Sequence, residues 1–282
     1  LLTSVISLSL TRLRAAAALF GALAPIGSLA EEAGAYSPDP CRPARLEAAR
    51  QVVANERLEL ELPDGRIIRL AGVETPPARG ADAKFMASAA EDLALWTSVP
   101  IAVFLMRPQA DRWQRHDGRA FIAELARAPD LLPSLSEAII DAGLARVDPT
   151  TERRPCLDRL YAAETRARAA RRGLWADPAF AVIDAADPQF KGQAGSMAIV
   201  QGQVASVRVR RGVTFINLGD GAPGSPSLTI GREAIRAMER EGMRPESLKG
   251  RTIRARGVLD LRDGPRIEVF GPSALELLGA GT

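Results

Sequence analysis

Arg69-Leu70-Ala71-Gly72-Val73-Glu74-Thr75-Pro76-Pro77 runs from an apolar strand through a glycine to a carboxylate and two prolines. Residues 67–73 form a strand that returns from a turn at Pro63-Asp64-Gly65. Before the turn the pattern alternates, with Leu58, Leu60 and Leu62 on one face and Glu59 and Glu61 on the other. A period of two with one apolar and one charged face is a hairpin that buries one side and wets the other.

Residues 83–96 have helical spacing, 101–106 form a short apolar strand, and 120–125 form another, entered through the polar loop 111–118. Residues 135–142 read as a helix ended by Gly143, and 156–172 as a long amphipathic helix stopped by Gly173 and followed by Leu174-Trp175. Hairpin, helix, strands and terminal helices predict an α+β fold around a small barrel. Further strands are expected at 197–209, 213–218, 228–230, 251–261 and 266–269, with one helix at 232–241. Five short strands and a helix make a second, smaller barrel of the oligonucleotide/oligosaccharide-binding type. The expected organisation is therefore an export signal at 1–30, a tether at 31–49, a first domain at 50–182, a linker at 183–196 and the second barrel at 197–282.

The export signal rests on Arg12 and Arg14, an apolar run at 15–24, and Ser28-Leu29-Ala30, which places cleavage after Ala30. The run is shorter than the roughly 20 residues a membrane span needs, and no later segment is long and apolar enough. A periplasmic or secreted protein with an even cysteine count favours one disulfide, Cys41 to Cys156. Two Cys and one His exclude a zinc site of the Cys/His type. The lone His116, read as an exposed loop residue, and the lack of a Gly-x-Ser-x-Gly turn argue against a serine triad. Residues 197–282 carry 13 basic and 9 acidic side chains, whereas 31–196 carry 22 and 25, so the basic balance lies in the second barrel. Arg208, Arg210, Arg211, Arg254 and Arg256 are its candidates for phosphate attraction, but Phe215 and Phe270 are too few for a base-stacking platform. The Arg-rich helix at 156–172 reads as a solvated face interleaved with Asp158 and Glu164.

Four pieces occur in one order: the hairpin ending Arg69-Leu70-Ala71-Gly72-Val73-Glu74-Thr75-Pro76, then Asp111-Arg112-Trp113-Gln114-Arg115, then Asp141-Ala142-Gly143-Leu144-Ala145-Arg146, and finally Glu164-x-x-Ala167-Arg168 leading to Gly173-Leu174-Trp175. Over residues 50–176 the chain resembles the thermonuclease, or staphylococcal-nuclease-like, family. The resemblance implies a five-stranded barrel with three helices that hydrolyses DNA or RNA phosphodiesters with Ca²⁺. A hard cation takes oxygen ligands. The ion and two Arg side chains neutralise charge at phosphorus, and a Glu positions the attacking water.

Carried over residue by residue, the resemblance makes Arg69 the first phosphate-binding Arg, Glu74 a metal ligand in place of Asp, and Thr75 a ligand through its carbonyl. Glu56 is the best candidate for the second acidic ligand, with Asn55 beside it. Two residues compete for the second Arg. Arg115 keeps the spacing from Asp111, while Arg119 follows a glycine and directly precedes a strand; Arg119 is preferred. Pro77 stands where the general-base Glu belongs and has no side-chain oxygen. The expected function is Ca²⁺-dependent hydrolysis of nucleic acid weakened by Pro77, and the rival is a degenerate secreted module that binds nucleic acid or a protein.

Overall fold

Asp64 and Gly65 set the first turn: the Asp64 carboxylate accepts the Arg66 amide at 3.0 Å, and Gly65 takes φ +84°. The computed structural model describes residues 41, 43, 45–76, 81–123, 134–186, 188, 190, 194–222 and 224–279. The stretch read as an export signal, most of the tether, and Pro77 lie outside them.

The first barrel comprises β1 (Glu47–Ala49), β2 (Val53–Ala54), β3 (Leu60–Glu61), β4 (Ile67–Leu70), β5 (Val73–Glu74), α1 (Ala81–Thr97), β6 (Ile101–Leu105), β7 (Arg115–Ile122), α2 (Leu135–Asp141), β8 (Arg146–Val147) and α3 (Cys156–Ala169). Its main sheet has the order β1-β6-β7-β4-β3-β2, and β5 pairs with β8. Within that sheet β4 and β7 run parallel, so two strands far apart in sequence share a face. Leu58, Leu60, Leu62, Ile68, Leu70 and Ile101 fill the core with Leu93 from α1, Ile139 from α2 and Leu157 from α3. At about 25 cal/mol per Å² of apolar surface removed from water, this packing is the main force holding the barrel.

Local chemistry ends and aims the helices. Ser134 and Glu137 form a reciprocal capping box at the start of α2. In α3 the buried residues Cys156, Leu157, Leu160, Tyr161, Ala163, Glu164 and Ala167 recur at helical spacing and face inward. Gly72 joins β4 to β5 with φ +77°, and any Cβ there would strike Leu160, so the turn and the helix contact both require glycine. Cys156, at the first turn of α3, is disulfide-bonded to Cys41.

Four expectations are corrected. The expected strand at 120–125 begins earlier, at Arg115, because Asp111 accepts the amides of Trp113 and Arg115 at 2.8 and 3.0 Å and tightens the loop before it. His116 is therefore a strand residue opposite Ile68, with Nδ1 buried and lacking a hydrogen-bond partner among the described residues. Glu59, expected on the wet face, is 5% exposed, and Glu164, expected on a solvated face, is fully buried.

The second barrel comprises β9 (Ile183–Asp184), β10 (Met197–Arg210), β11 (Val213–Leu218), β12 (Ser227–Ile230), α4 (Arg232–Arg240), β13 (Thr252–Asp260), β14 (Arg266–Val269) and β15 (Leu275–Leu277). The order is β15-β13-β14-β12-β11-β10-β9, and pairing of β13 back onto β10 closes five strands into a barrel. The 14-residue β10 bends at a bulge between Val204 and Ser206, which lets one strand serve both sides of the closure. Ile183 and Ala185, in the stretch read as a linker, are buried in this second core. No helix among the described residues is long and apolar enough to cross a membrane.

Asp39–Thr282 forms one compact unit. Arg256 of β13, expected to be available to phosphate, is 1% exposed and forms the centre of the joint between the barrels. It donates to both Glu164 oxygens at 3.1 and 2.8 Å, to the Val147 carbonyl at 3.2 Å and to Glu276 at 2.8 Å. Its guanidinium also lies 4.5 Å from the Tyr161 ring centroid. Around this pair, Ile199 of β10 packs with Ala167 and Trp175, and the Tyr161 hydroxyl donates to the Ser273 carbonyl.

Candidate nucleic-acid interface

The parallel pairing of β4 with β7 places Ile67 beside Arg115 and Arg69 beside Asp117. Arg69 and Arg115 are thus two positions apart along neighbouring strands and reach the same side of the sheet. They line a hollow of about 210 Å³ together with Arg57, Glu59, Glu74, Thr75 and Asp148. Arg69 leans on Asp117 through Nε at 2.7 Å and Nη2 at 2.6 Å. Arg115 is held by Asp111 through Nε and Nη2 at 3.0 and 2.9 Å, and by Glu59 through Nη1 at 2.9 Å. Burial works to raise the Asp111 carboxyl, but the Arg115 and Trp113 amides and the Arg115 guanidinium outweigh it and hold the group at about 2. Burial likewise opposes the Arg115 charge, and Asp111 with Glu59 overcomes it and raises that group. Arg57 is exposed and in no ion pair among the described residues. Trp113 is 56% exposed beside this cluster, with the Arg112 and Arg115 guanidiniums 3.8 and 4.8 Å from its ring centroid.

Of the residues expected at the site, Arg69, Arg115, Glu74 and Thr75 come together, and two do not. Arg119 is 8% exposed and bonds Glu152 through Nε at 2.8 Å and Nη2 at 2.6 Å, with Nη1 on the Cys41 carbonyl at 3.2 Å. It lies four residues beyond Arg115 on β7, where a side chain close to α3 and the disulfide is enclosed, so Arg115 is the second Arg of the hollow. Glu56 is exposed and does not line it; Glu59, three residues further along, does. Local sequence assigns no role to Arg146 or Asp148. Their place depends on β8 pairing with β5, which local sequence does not reveal.

That pairing sets Glu74 directly opposite Arg146. Arg146 donates to both Glu74 oxygens, at 2.8 and 3.2 Å, and its Nη1 donates to the Met197 carbonyl at the start of the second barrel at 3.0 Å. Ca²⁺ requires six to eight oxygens and little competing positive charge. Here both Glu74 oxygens face a guanidinium, Glu59 faces another, and the Asp148 carboxylate accepts the Thr150 amide and hydroxyl at 2.8 and 2.6 Å. Among the described residues no three His, Cys, Asp or Glu side chains converge as a metal site. The residues present do not fit the calcium ion that the resemblance implies.

Residues 67–177 match the family model described as staphylococcal nuclease homologue. A search of curated proteins found no match to the chain. The matched span begins with β4 and contains Arg69, Glu74, Arg115 and Arg146, the residues whose side chains meet around the hollow and at its edge. Residues 67–177 thus form a thermonuclease-like domain of the staphylococcal nuclease homologue family, its open half-barrel sheet followed by a closed five-stranded barrel.

Proposed function

We propose that the first barrel binds the phosphodiester backbone of a nucleic acid and has lost calcium-dependent hydrolysis. The observation that carries this reading is Glu74: its carboxylate is matched by Arg146 on both oxygens, while Arg57 and Arg69 still face the same hollow. Arg69 keeps Nη1 for a phosphate oxygen, and Arg57 adds a second, exposed donor. Arg115, fixed by Asp111 and Glu59, forms a rigid wall of the hollow, and exposed Trp113 offers a ring to an unpaired base. Pro77 removes the one group that would position water, so the chain's own residues bind and orient without a base. The disulfide supports action in an oxidising compartment, in keeping with an exported protein.

The test is fluorescence anisotropy with labelled single-stranded DNA and RNA across a salt series, run with calcium and with chelator, beside a gel assay for cleavage. Binding should weaken steadily as salt rises, be indifferent to the chelator, and produce no shortened product. Chelator-sensitive cutting by catalytic amounts of protein would overturn the loss of hydrolysis, and salt-insensitive or absent binding would overturn the nucleic-acid reading.

A further inference from the structure

Arg69 has two sides. One faces the hollow described above; the other lines a larger cleft of about 520 Å³ with Arg107, Arg153, Thr150 and Thr151. The two carboxylates in this cleft are already committed. Asp117 is held by Arg69 at 2.7 Å, and Glu152 by the enclosed Arg119 at 2.8 and 2.6 Å. Arg107 and Arg153 are exposed and have no ion-pair partner among the described residues. Two guanidiniums thus face a concave space in which, among the described residues, no carboxylate remains to neutralise them. The loop after β8 joins the two spaces, since Asp148 lines the first and Thr150 and Thr151 line the second. Thr151 is pinned there by accepting the Gly72 amide at 2.9 Å, so this wall is tied to the β4–β5 turn.

A single phosphate needs one such site. Unpartnered cations repeated on both sides of a shared Arg suit a chain of phosphates, and concave hollows beside an exposed Trp suit a single strand with splayed bases. We infer that the two spaces are consecutive phosphate subsites on one single-stranded polynucleotide path, with Arg69 as their common wall and Arg107 and Arg153 as the cations of the second. This rests on the reading of the first hollow given above.

The experiment compares thymidine 5′-monophosphate with oligothymidylates of increasing length, binding to the full chain and to Arg107→Ala/Arg153→Ala and Arg69→Ala variants. Arg107 and Arg153 are exposed, so the double variant should retain the wild-type circular dichroism spectrum. It should bind the longer oligonucleotides roughly tenfold more weakly, and the slope of log K against log salt should fall by about 1.4, the value for two lost single-strand phosphate contacts. Its affinity for the mononucleotide should not change. Arg69→Ala should weaken every ligand. If the double variant binds all lengths like wild type while Arg69→Ala binds them poorly, the second subsite is refuted and the first hollow stands. If Arg69→Ala also changes nothing, the reading of the first hollow fails as well. Tighter binding of duplex than of single strand would overturn the single-strand path.

Discussion

Arg256 of the second barrel and Glu164 of α3 form a buried ion pair, Nη2 to Oε2 at 2.8 Å, with both side chains all but excluded from water. Burial alone would raise the Glu164 carboxyl, but the Arg256 charge, the Arg256 hydrogen bonds and the Val147 amide outweigh it and lower it. The two barrels are thus joined through a charge pair that neither can satisfy alone.

Removing one partner leaves the other as an uncompensated buried charge. Glu164→Gln or Arg256→Met should each cost about 3–5 kcal/mol in chemical denaturation, and Arg256→Met/Glu164→Met should recover much of that loss. Single variants within experimental error of wild type would show that the joint does not depend on this pair. Because the folded value of Glu164 is lowered, its contribution is present above the ordinary carboxylate range and fades as the pH falls below it.

Arg115 and Arg119 should separate by their effect on binding, since each also satisfies a buried carboxylate, Glu59 or Glu152, whose loss costs stability. Arg119→Met strands Glu152, which is 6% exposed, and should cost about 3–5 kcal/mol of stability while the folded protein binds oligonucleotide as before. Arg115→Met should instead weaken oligonucleotide binding and flatten its salt dependence. The reverse pattern in paired melting and anisotropy measurements would reinstate Arg119 at the site.

Asp111 should titrate at about 2 in a carboxyl NMR experiment, and Arg115→Met should move it back toward 3.8. Since the folded value is depressed, the ionised group supports the fold above about pH 4 and loses that effect as the pH falls toward 2. Asp111→Asn should therefore flatten the pH dependence of stability in that window. An ordinary titration of Asp111 would show that the loop before β7 is not held as described.

Pro77→Glu alone should not restore calcium-dependent cleavage of denatured DNA. Restoring a base leaves Glu74 still matched to Arg146 on both oxygens. Calcium-dependent product from this single variant would show that the ion displaces Arg146.

Reduction of Cys41–Cys156, or its replacement by Ala at both positions, should lower stability by about 4–5 kcal/mol, because the bridge closes a loop of 115 residues in the unfolded chain. Equal denaturation midpoints with and without reductant would contradict this.

What the amino-acid order determined by itself was local. Alternation placed Leu58, Leu60 and Leu62 in the core, and one short segment, β4 and β5 with the Gly72 turn between them, carried Arg69, Glu74 and Thr75 to one hollow. The spacing of apolar residues gave α1, α2 and α3 to within a few residues of their observed ends, and the turn residues gave most strands of the second barrel. The partners of charged side chains were decided only by the tertiary structure. Glu74 meets Arg146 across 72 residues, Arg119 meets Glu152 across 33, and Arg256 meets Glu164 across 92. A charged residue on a strand looks the same in sequence whether it points to water or to an ion pair. The difference lies in the register of a neighbouring strand, which turns a metal ligand into half of a salt bridge when an arginine lands opposite it.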